Sequence, residues 1–278
     1  MFLVESLNRL MKRGETRSVK LKRNIVTSMV IKVLTVGVNF SIVPLTIDYI
    51  NPVQYGVWVV MTSIISWFSF FDFGMANGLR NKLATTLAFN YYDKAKKYVS
   101  TAYATFALIA MGVFVLSGIA AFYVDWHWLL SIPRDTVQAN ISLVLLLVLA
   151  TFCMQFVAQL LTTVLTAMQE PARADIIILL GQVSLLLILL ILKFTVPGSL
   201  MVLVLALTVT PITFFIASLL FYNRKMKTIA PSIHSVDFSY ARSILNVGAV
   251  FFLIQIGALI LFQTDNIIIA KVLGPEAV

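Results

Sequence analysis

Seven long apolar runs dominate this chain, and each has the length a helix needs to cross a bilayer. They fall at roughly 25–50, 55–79, 98–124, 138–168, 175–194, 198–222 and 241–272. Crossing ~30 Å of hydrocarbon at ~1.5 Å per residue takes ~20 mostly apolar residues. Lipid offers no partner to stray backbone N–H and C=O groups, so a span must be a helix or part of a closed barrel. The period-2 alternation of barrel strands is missing from these runs, and the sequence predicts an all-α, polytopic membrane helix bundle. Composition agrees. Hydrophobic residues make up 60% and charged residues 12% of the 278, where a soluble domain carries roughly 45–50% and about 25%.

The net charge of +9 could point to nucleic acid, but its placement points to topology. Seven Lys/Arg lie in the first 23 residues and five in the second connection, with Arg173 in the fourth and four more in the sixth. Those seventeen share one side of the membrane, against Arg134, Lys193 and Lys271 on the other. The positive-inside rule then predicts a cytoplasmic N-terminus, and anionic headgroups account for the basic side without any nucleic acid. Phe2–Arg13 is amphipathic and reads as a short interfacial helix; Leu83–Phe89 reads similarly.

Chemistry carried on loops is not in view. His127 and His234 sit in connections on opposite sides, neither with a second ligand at metal spacing, and the lone Cys153 lies within the fourth run. Neither a Ser-His-Asp arrangement nor a phosphate loop occurs. The reading is therefore a non-enzyme with no cofactor and no metal site, and transport outranks catalysis.

Polar groups inside the spans are costly and become the candidates for function. Lys32 and Asp72 fall at similar depth on neighbouring antiparallel helices, and two readings stand side by side. They form a structural ion pair, or Lys32 lines a cavity and meets an anionic substrate while Asp72 tunes its charge. Asp265, in the outer part of the seventh run beside Gln263 and Asn266, has no evident partner. Asn39, Gln155, Gln159 and Gln255 are further cavity candidates, with Gln155 and Gln159 at i, i+4 on one helix face; interhelical hydrogen bonds would also explain them. Asn77 and Arg80 fall at the basic mouth. Pro44 and Pro211 lie within spans and predict kinks.

A weak internal repeat organises the chain. IDYINPVQY (47–55) and AKVLGPEAV (270–278) each follow a long apolar helix and match at an offset of 223, which lays Lys32 on Gln255 and Pro52 on Pro275. The expected layout is a basic amphipathic segment at 1–23, a six-span lobe at 24–223, a linker at 224–240, and the first helix of a second lobe at 241–278. On that reading the chain stops inside a two-lobe transporter whose substrate site lies between parallel repeats.

The run 43–84, with PLTIDYINPVQYGVW and SFFDFGMANGLRNKLA, resembles the polysaccharide exporters, the lipid-linked oligosaccharide (O-antigen) flippase family of the multidrug/oligosaccharidyl-lipid/polysaccharide exporter superfamily. Asp72, Gly74, Asn77 and Arg80 carry that resemblance, and the terminal LGPEAV is similar to the same family's element after its seventh helix. The resemblance implies a multi-pass protein of the bacterial or archaeal inner membrane. Its substrate would be an undecaprenyl-diphosphate-linked oligosaccharide, flipped by alternating access for surface polysaccharide assembly. It implies a diphosphate contact at Lys32, ion coupling to H⁺ or Na⁺ through Asp72 and Asp265, and a polysaccharide polymerase and chain-length protein as partners. A multidrug/cation antiporter of the same superfamily is the alternative, and a membrane enzyme of lipid or sugar metabolism the alternative of another class.

Overall fold

The computed structural model describes the backbone of residues 16–123, 141–224 and 226–273, with most side chains between 24 and 257. Phe2–Arg13, His127, the terminal LGPEAV and the side chains of Gln263, Asp265 and Asn266 lie outside the described residues. Every described element is a helix, and seven are long and apolar enough to cross a membrane. The chain has the architecture of a multi-pass membrane protein.

The helices are α1 (Thr16–Ile50), α2a (Pro52–Ser66), α2b (Met75–Ala88), α3 (Tyr92–Tyr123), α4a (Ile141–Ala158) and α4b (Leu160–Ala167). They continue as α5 (Pro171–Thr195), α6a (Leu200–Leu207), α6b (Val209–Arg224) and α7 (Phe238–Leu273). A 3₁₀ turn, Trp67–Asp72, joins α2a to α2b. The sequence ends the second span near residue 79, whereas α2b runs on to Ala88. Leu83, expected in an interfacial segment, is fully buried.

Short connections turn the chain by local chemistry. Asn51 takes φ 75°, and its Oδ1 accepts the Gln54 amide at 3.0 Å. It thus caps α2a, whose first residue is Pro52, where a missing N–H costs nothing. On the basic side, Asn90 and Gln169 have φ 59° and 61°. The Tyr91 amide returns to the Thr86 carbonyl and the Glu170 amide to that of Leu165, both at 3.0 Å. Each is a Schellman closure that satisfies the last carbonyls of a helix.

Side chains pack into two stacked cores. One, on the basic side, gathers α2b, α4b and α6b with the basic-side ends of α3, α5 and α7 around Phe106, Leu161 and Leu79. The other gathers α2a and α6a with the far ends of α1, α3 and α5 around Met61, Leu189 and Leu203. Phe152 and Cys153 of α4a touch both.

α1 lies parallel to α5, held by polar contacts along its length. Asn24 Nδ2 donates to the Gln169 carbonyl at 3.3 Å, Ser28 Oγ to Asp175, Lys193 pairs with Asp48, and Tyr49 OH reaches the Pro197 carbonyl at 3.4 Å. α3 and α7 are joined in the same way. Thr101 and Asp237 exchange two hydrogen bonds of 3.1 and 3.0 Å, and Tyr98 meets both Ser243 and the Tyr240 ring.

Candidate functional site: an uncharged cavity at three helix breaks

Between α2a, α4a, α5 and α6 lies a cavity of about 520 Å³, within the range of ligand pockets. Trp58, Thr62, Ile65 and Ser69 line it from the second span, Val148, Thr151, Phe152 and Gln155 from the fourth. Gln182 and Leu185 come from α5, and Val204, Leu207, Thr210 and Pro211 from the sixth span. None of these side chains is charged.

Each of the three even-numbered spans breaks beside this cavity. The second span passes through the 3₁₀ turn that holds Ser69, then Phe73 and Gly74 with φ 47° and 72°. The fourth breaks at Gln159, one turn below Gln155. Its carbonyl takes the Thr162 amide at 3.0 Å and the Thr162 hydroxyl at 2.6 Å, a side chain competing with the helical ladder. The sixth breaks at Thr208, because Pro211 has no N–H to give the Leu207 carbonyl. Non-helical backbone is tolerated at membrane depth where it is buried in protein or lines a cavity.

The wall is uncharged but carries hydrogen-bonding groups, the amides of Gln155 and Gln182, the Trp58 indole N–H and the hydroxyls of Thr62, Ser69, Thr151 and Thr210. Gln155 Oε1 is buried without a hydrogen-bond partner, an arrangement that costs ~1–3 kcal/mol unless a guest supplies a donor. The hydroxyls of Thr62 and Thr151 are spent on their own helices, donating to Trp58 and Leu147 carbonyls at 2.9 Å. They leave only lone pairs for the cavity. Trp58 and Phe152 add aromatic surface. A bare ion would find no countercharge here. A neutral molecule with hydroxyl or N–H donors and an apolar face matches the lining.

Of the residues singled out from sequence, this cavity contains Gln155, with Gln159 at the break below it. Lys32 and Asn39 are exposed on α1, and Lys32 forms no ion pair among the described residues. Gln255 is exposed on α7. The Lys32–Asp72 pair is not formed. α1 packs mainly along α5, while Asp72 turns its Oδ1 to the Gly74 amide at 2.9 Å. Asp72 therefore stabilises the turn into α2b. Asn77 is half-buried, its carbonyl taken by Asn81 Nδ2 at 3.0 Å, and Arg80 is exposed.

Sequence reasoning missed Trp58, Thr62 and Gln182 as a cluster, because nothing local brings the second and fifth spans together. It also passed over Gly74-x-x-x-Gly78, a pattern for close helix approach. A Cβ on Gly78 would lie 2.2 Å from the Ile244 carbonyl oxygen, and one on Gly74 the same distance from that of Gly248. The motif carrying the family resemblance is thus where α7 docks on α2b. No family model, curated protein or solved structure matches this chain.

Proposed function

We propose that this protein is a membrane transporter that flips a polyprenyl-diphosphate-linked oligosaccharide across the bacterial cytoplasmic membrane by alternating access. The observation that carries the reading is the cavity. Its uncharged hydrogen-bonding groups, the buried Gln155 Oε1 foremost, beside Trp58 and Phe152, suit a sugar, which offers many hydroxyls and an apolar ring face. Breaks in three of the four spans that line the cavity suit a wall that rearranges. Lys32, exposed on α1 and in no ion pair among the described residues, is the cation this reading assigns to the diphosphate. Uncharged lining also weighs against a multidrug/cation antiporter, which would want an acid in the wall.

The test is flipping in proteoliposomes. A fluorescent polyprenyl-diphosphate oligosaccharide should become accessible to an external lectin faster with protein than in protein-free vesicles. Gln155→Leu should slow this about tenfold, the effect of one lost hydrogen bond to a buried group. Equal rates with and without protein would sink the proposal. Uptake of a lipophilic cation in exchange for H⁺ or Na⁺, without lipid flipping, would favour the antiporter.

A further inference from the structure

A second hollow, of about 260 Å³, opens between α5 and α6b on the basic side. Arg173 and Arg224 both border it, and its apolar wall includes Ile176, Ala217, Leu220 and Phe221. We infer that this groove binds a phosphate-bearing membrane lipid, the two guanidinium groups taking the phosphate and the apolar wall the first part of an acyl or prenyl chain.

The placement of charge and apolar surface supports this. Arg173 is the third residue of α5 and Arg224 the last of α6b, so both lie at one membrane face. Ile176, Leu220 and Phe221 lie up to one helical turn deeper. Two arginines over an apolar groove between helices match an anionic lipid in both chemistry and depth. A guanidinium takes phosphate oxygens bidentately and keeps its charge at any relevant pH. Glu170 occupies part of Arg173, yet five N–H donors leave others free. Arg224 makes no ion pair among the described residues.

Topology alone explains these charges less well. A positive charge in the first turn of a helix opposes its dipole, so Arg173 does nothing for α5 by itself, whereas an anion held there meets the dipole favourably. Topology also does not require two arginines to share one groove. The groove faces the bilayer: Ile176 and Leu220 are 41% and 55% exposed. That favours a chain-bearing phosphate over a free one. The inference is independent of what the protein translocates.

Native mass spectrometry of the full chain in a neutral detergent would test it, with dioleoyl phosphatidate, dioleoyl phosphatidylcholine and inorganic phosphate as probes. One phosphatidate should be retained in preference to phosphatidylcholine. R173Q/R224Q should weaken it at least tenfold, while Lys227→Gln, an exposed basic residue outside the groove, leaves it unchanged. Ala217→Phe, which fills the groove and keeps both arginines, should also weaken it; this variant keeps the test open if R173Q/R224Q misfolds. Three results would overturn the inference. They are retention by R173Q/R224Q as strong as wild type, an equal loss in Lys227→Gln, and displacement by inorganic phosphate as effective as by added phosphatidate.

Discussion

Odd- and even-numbered spans are built differently. α1, α3, α5 and α7 run unbroken for 35, 32, 25 and 36 residues, whereas the second, fourth and sixth spans each split in two. Odd helices associate in parallel pairs: α1 joins α5 through side-chain bonds at both ends, and α3 joins the foot of α7 through bonds at its basic-side end. Even helices carry most of the cavity wall. Between helices in lipid no hydrophobic force operates, so packing and interhelical hydrogen bonds must hold the bundle. The odd pairs supply these. The even spans instead give up helical bonds where they meet the cavity, and thereby place polar groups and backbone bends at its wall.

The largest expected effect attacks the point where the two classes meet. Gly78→Leu drives a side chain into the Ile244 backbone, which stands 2.2 Å from the first added carbon. Separating α7 from α2b should cost about 3 kcal/mol or more, seen as a lower midpoint of thermal unfolding in detergent. A variant as stable as wild type would remove the close approach from the account. Next comes Pro211→Ala, which restores the amide missing from the sixth span. It should raise stability by ~1–3 kcal/mol while slowing oligosaccharide-lipid flipping. If stability rises and flipping is unchanged, the break has no working role. Smaller again is Ser28→Ala, which strips the hydroxyl from Asp175 in the α1–α5 pair. A loss of about 1 kcal/mol is expected. No loss would show that the odd pairs hold by packing alone.

The odd class was the more legible in sequence. Continuous apolar runs with few breakers read directly as spans. Even spans were legible as spans but not as broken ones. Pro211 announced one break by its missing N–H. Gln159 carries no such mark, since its break comes from the Thr162 hydroxyl, and the 3₁₀ turn at Trp67–Asp72 looks like any aromatic stretch. The cavity was the least legible, because its residues come from four helices and only tertiary packing brings them together. Lys32 and Asp72 illustrate the limit. Counting residues from a span's end suggested a pair, but it does not say which helices become neighbours, and α1 packs mainly along α5. Asp72 found a backbone amide two residues away before any partner on α1.

The smallest effect concerns the foot of α7, where the α3–α7 pair begins outside the membrane. Asp237 accepts the Ser239 hydroxyl at 2.6 Å and the Ser239 amide at 3.1 Å, capping the helix, and faces Lys97 Nζ at 3.6 Å. The Ser239 hydroxyl and amide, aided by the Lys97 ammonium, hold its carboxyl below the usual carboxylate range. A depressed carboxylate pKa contributes stability that is present above the unfolded value of about 3.9 and is lost as pH falls through the folded value. Asp237→Asn keeps a good capping side chain but has no charge to lose. The gap in unfolding midpoint between wild type and Asp237→Asn should therefore narrow between pH 6 and pH 3. The side chain is exposed, so the gap should also shrink with added salt. A gap constant across that pH range would mean that the uncharged contacts of Thr101 and Tyr98 fasten α7 to α3, and that the charges at this end of the pair are incidental.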